Sequence, residues 1–114
     1  MPRPKTFSFL GKEWKIRYRR THTDGKGSVG LTDFERYEID VFTKGHTVDG
    51  IKDTLLHELL HVTLNDPVRA LYHPDTFMPT SRFEEELILQ ATPRIHSLFK
   101  ENPKLTEYLF TNEE

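Results

Sequence analysis

His57, Glu58 and His61 stand together in the run TLLHELLH, Thr54 to His61, near the middle of the chain. In a helix, positions i and i+4 project from the same face, about 5–6 Å apart. Two imidazoles at that spacing can hold one zinc ion through nitrogens at about 2.0–2.1 Å. Glu58 follows the first histidine directly, so its side chain leans to one side of the pair. From there it can reach a metal-bound water without ligating the metal. This is the mechanical logic of HExxH on a helix, with two ligands and a general base. An ordinary amphipathic helix carrying two histidines is the alternative. The composition yields His-Glu-any-any-His by chance roughly 0.03 times in a chain of this length, which is not negligible. The motif falls in the most apolar helix, however, where two unpaired histidines and a glutamate are costly to bury.

A catalytic zinc site needs a third protein ligand and an open position. Pro67 stands six residues after His61, which excludes a third histidine in the extended metzincin spacing. The candidates that follow are His73, the run Glu84-Glu85-Glu86, and His96. Leu87, Ile88, Ala91, Ile95 and Leu98 define an apolar helix face. At about 100° per residue, Glu84 falls near the middle of it, Glu85 to one side and Glu86 almost opposite. Glu84 is therefore the expected third ligand, with Glu85 its rival. A capping box, Ser81-x-x-Glu84, explains the same residue without a metal. Tyr72 and His73 are candidates for stabilising an oxyanion. His22, His46 and His96 are taken as ordinary polar residues.

These side chains need a scaffold, and the rest of the chain supplies its pattern. With 114 residues, the chain is expected to form a single domain over 1–114. Phe7 and Phe9, then Trp14, Ile16 and Tyr18, alternate as in a hairpin turning at Leu10-Gly11-Lys12. The stretch 21–30, rich in Gly, Asp and Ser, reads as a loop, and Tyr37, Ile39 and Val41 mark a third strand within Arg36 to Phe42. Helical spacing then runs from Ile51 to about Leu64, capped by Thr47 or Asp49 and ended by Pro67. Its apolar residues spread nearly all round, predicting a largely buried helix. A second helix spans Ser81 to Phe99 through Pro93, and a short third lies in Asn102 to Phe110. The expected fold is α+β and minimal zincin-like: a three-stranded antiparallel sheet packed on the HExxH helix, with one or two further helices.

Composition narrows the partners. Sixteen Lys and Arg against eighteen Asp and Glu give a formal charge of −2, which argues against nucleic acid as a partner. The basic residues of the first twenty positions, Arg3, Lys5, Lys12, Lys15, Arg17, Arg19 and Arg20, read as a solvated strand face. No cysteine is present, so disulfides and thiolate metal sites are excluded. No apolar run approaches a membrane span, and the chain reads as soluble and cytoplasmic.

Three stretches, GLTDFERYEIDVF, DTLLHELLHVTL and FEEELILQATPRI, resemble the small phage- and prophage-encoded HExxH proteins, minimal relatives of ImmA/IrrE-type metallo-endopeptidases. The resemblance runs from about Gly30 to Phe99, and HELLH is its chemically specific part. It implies His57 and His61 as zinc ligands, Glu58 as catalytic base, an acidic third ligand on the following helix, and host cytoplasm as the setting. The expected function is zinc-dependent hydrolysis of peptide bonds in flexible segments of a protein or peptide substrate. The alternative is a non-catalytic, zinc-stabilised binding protein. The sequence leaves oligomeric state and substrate identity open.

Overall fold

The computed structural model describes residues 2–21, 29–70 and 83–111. Strand β1, Thr6–Phe9, and strand β2, Lys12–Arg19, form the expected hairpin, pairing Phe7 with Trp14 and Phe9 with Lys12. Their two-residue turn holds Leu10 at φ 50° and Gly11 at φ 78°. Both values belong to a type I′ turn, whose twist matches that of the flanking strands. The alternation does what it promised: Phe7, Phe9, Trp14 and Ile16 are all buried on one side.

The sheet departs from the expected three antiparallel strands. Strand β3, Gly30–Asp33, and strand β4, Glu38–Phe42, pair antiparallel, and β4 lies parallel to β2 with Ile39 beside Ile16. The result is a four-stranded mixed sheet in the order β1-β2-β4-β3. The additional strand escapes apolar alternation because its inward positions are Gly30 and Thr32, while Leu31 and Asp33 face out. A turn over 34–37 joins it to β4. The Asp33 carboxylate there accepts hydrogen bonds from the amides of Glu35 and Arg36. Tyr37 belongs to this turn rather than to the strand, with φ at 57°, and its ring meets Trp14 edge-on at 5.3 Å.

Helix α1, Val48–Ala70, starts from Thr47, whose hydroxyl accepts the Gly50 amide at 3.0 Å. It runs past the expected stop at Leu64 and through Pro67. A proline inside a helix removes one hydrogen bond and crowds the preceding turn. Here Pro67 and the nearby Thr63 are fully buried, and that packing offsets the loss. Ile51, Leu55, Leu59 and Val62 face the core, but one side of the helix stays open, so the helix is less buried than its composition suggested.

Helix α2, Phe83–Glu101, carries Pro93 within it, and helix α3, Pro103–Phe110, closes the fold. Leu98, Leu105 and Tyr108 join the strand residues and α1 in one core. Asn102 ties three elements at once. Its side-chain amide donates to the carbonyls of Ser8 and Leu98 and accepts the Ser8 amide, at 2.7–2.8 Å. Lys52 of α1 is buried and donates to the Thr111 carbonyl at the end of α3, with its ammonium over the Tyr108 ring. Among the described residues, no helix is long and apolar enough to cross a membrane.

Candidate metal centre

Helix α1 places His57 and His61 one turn apart on its open side, with Glu58 turned inward between helix and sheet. The imidazole Nε2 atoms stand 3.2 Å apart, with the rings nearly perpendicular at 81°. Two nitrogens bound to one tetrahedral ion at about 2.0–2.1 Å are roughly 3.3–3.4 Å apart, close to the separation of this pair. The same separation suits a single N–H···N bond, so either one proton or one cation satisfies both rings. Ligand atoms of His57, Glu58 and His61 all lie within 4.8 Å of one another, a group that could hold a metal ion.

Both histidines are exposed, whereas Glu58 is 5% exposed. Its burial comes from β3, which crosses over this turn of α1. The Thr32 hydroxyl donates to Glu58 Oε1 at 2.7 Å. Gly30 lies over the other oxygen: a Cβ there would stand 2.9 Å from Glu58 Oε2 and 2.9 Å from the Thr54 methyl. A side chain at this position would press on the carboxylate and on Thr54, so one of them would have to shift. Neither Thr32 nor Gly30 stood out in the sequence as a site residue. The available signal was a short strand whose inward positions are too small to be core.

Beside the pair runs a groove of about 470 Å³, bounded by Phe34, His57, Leu60, His61, Leu64 and Val68, with Asn65 and Arg69 also lining it. Its wall is a stripe of α1 at helical spacing, and its mouth includes both imidazoles. The groove is apolar apart from these imidazoles, Asn65 and Arg69.

The carboxylates of α2 stand elsewhere. Glu84 and Glu85 are exposed in the first turn of that helix, Glu86 is half-buried, and none belongs to the His57-Glu58-His61 group. The face expected to centre on Glu84 packs only from its middle onward. Ala91 and Leu98 are buried, but Ile88 is 57% exposed, so the helix start lies off the core. His96 is exposed on the same helix and is not part of the group. Tyr72, His73 and Ser81, the candidate cap, lie outside the described residues.

Comparison of the chain with known protein families, with curated proteins and with solved structures finds no match.

Proposed function

We propose that this protein is a zinc-dependent metallopeptidase, with His57 and His61 as metal ligands and Glu58 as general base. The observation that supports it is the 3.2 Å separation of the two Nε2 atoms beside a buried carboxylate. When bound there, zinc would polarise the scissile carbonyl and lower the pKa of a water. Glu58 takes the proton of the attacking water and hands it to the leaving amine.

The sheet edge beside the site suggests how a substrate lies. The Phe42 amide donates to the Val29 carbonyl, which fixes the ladder: Val29, Leu31 and Asp33 exchange hydrogen bonds with β4. Gly30 and Thr32 then turn their backbone groups to the outer side, where no described residue forms a strand. An extended peptide can add itself there. Its apolar side chains would enter the groove along Leu60, Leu64 and Val68. The substrate is therefore a segment that can take up an extended strand, as flexible loops and tails of a protein do.

The test is zinc analysis of purified protein, followed by incubation of wild type and Glu58→Gln with fluorescein-labelled casein and with a tightly folded protein. Zinc near one per chain in both forms is expected, with cuts in casein by wild type alone. No zinc uptake on titration would overturn the proposal. Bound zinc with no cleavage of any protein would instead favour the zinc-stabilised binding protein.

A further inference from the structure

Glu58 is placed close enough to the histidines to serve in either of two ways. Its carboxylate lies within 4.8 Å of the imidazole nitrogens. A carboxylate that near can become a ligand, and as a ligand it would no longer be free to accept a proton from water. Something must hold it back, and the contacts that do so come from the sheet rather than from α1.

Thr32 Oγ1 donates to Oε1 at 2.7 Å, a length typical of a hydroxyl bonded to a carboxylate. Gly30 admits Oε2 beneath the strand, in space that any Cβ would fill. The side chain is 5% exposed, so solvent contributes little to its orientation. Both oxygens are thus placed by β3, one by a hydrogen bond and one by the shape of the backbone.

We infer that Thr32 is the positioning residue that keeps Glu58 a base and off the metal, with Gly30 making room for the orientation it imposes. This rests on the metal-site proposal and adds a determinant to it. Removing the hydroxyl leaves a buried carboxylate without its donor, and the nearest source of compensation is the cation held by the histidines.

The test uses cobalt(II) as the probe, titrated into metal-free wild type, Thr32→Val and Thr32→Ser, with Thr32→Ala added in case the branched residue disturbs folding. Visible d–d absorption reports which groups surround the ion, and the titration reports affinity. Wild type and Thr32→Ser should share one spectrum and one affinity. Thr32→Val should show an altered spectrum, bind cobalt about 10-fold more tightly or better, and lose cleavage of casein. A residue that only supports the fold would not alter the spectrum. A wild-type spectrum and affinity in both Thr32→Val and Thr32→Ala would overturn the inference while leaving the metal site intact. Weaker cobalt binding in those variants would also overturn it, because Thr32 would then be helping the ligands rather than restraining the base. Absence of cobalt binding in wild type would remove the metal site itself.

Discussion

A carboxylate withdrawn from water needs donors, and a half-buried phenol needs an acceptor; this fold meets both needs with single contacts. Glu58 is the only acidic side chain buried among the described residues, and Thr32 answers it. On the other side of the sheet's length, the Tyr18 hydroxyl donates to the Pro4 carbonyl at 2.9 Å, with Arg3 over its ring. Burial, and then Tyr108, raise the Tyr18 pKa above its ordinary 10.0, Arg3 opposing. The unfolded chain ionises this group near pH 10 while the folded chain still holds the proton. The contribution is therefore present below pH 10 and is lost as pH rises toward the folded value. Tyr18→Phe should cost about 1 kcal/mol at pH 8 through the lost hydrogen bond and show a shallower loss between pH 10 and 11 than wild type, measured by urea unfolding at each pH. Equal slopes would mean that Tyr18 does not govern the alkaline limb. At this scale the proximity of His57, Glu58 and His61 was legible, because i,i+4 spacing on a helix is local. Thr32 was not legible, because its meaning depends on a strand crossing a helix turn 26 residues further along.

At the scale of elements, the hairpin was legible because alternation and a Gly-containing turn are short-range signals. β3 carries no apolar alternation, since Gly30 and Thr32 fill the place of core residues, and the parallel pairing of β2 with β4 makes the sheet mixed rather than antiparallel. The extent of α1 was misjudged for a related reason. Pro67 ends helices by local chemistry, but its burial keeps it inside this one. Leu10 violates its own local preference: it sits at φ 50° with its side chain 60% exposed, so it gives little packing in return. Asparagine tolerates that backbone, and Leu10→Asn should raise unfolding free energy by about 1 kcal/mol. Chemical denaturation would show it, and a drop in stability would mean that Leu10 makes contacts beyond its turn.

Over the whole molecule, Asn102 does more than connect. Its side chain takes both the amide and the carbonyl of Ser8, the groups that β1 turns away from β2, and it also accounts for the Leu98 carbonyl near the end of α2. One edge of the sheet is thereby occupied at its centre by a side chain acting as a strand, while β3 at the other edge stays open among the described residues. Asn102→Ala should cost about 2–3 kcal/mol and add concentration-dependent association, followed by light scattering beside thermal unfolding. Loss of stability without association would mean that the amide only holds the helices. The general α+β class was legible from periodicity, but this asymmetry was not, because it joins residues 94 positions apart. It leaves, among the described residues, one sheet edge through which the chain can join another. Two copies meeting through β3 would saturate each other and stop, whereas a molecule joinable at both ends would polymerise. Such a pair would lay each copy's strand along the other's histidine pair, making the chain's own concentration a brake on the hydrolysis proposed above.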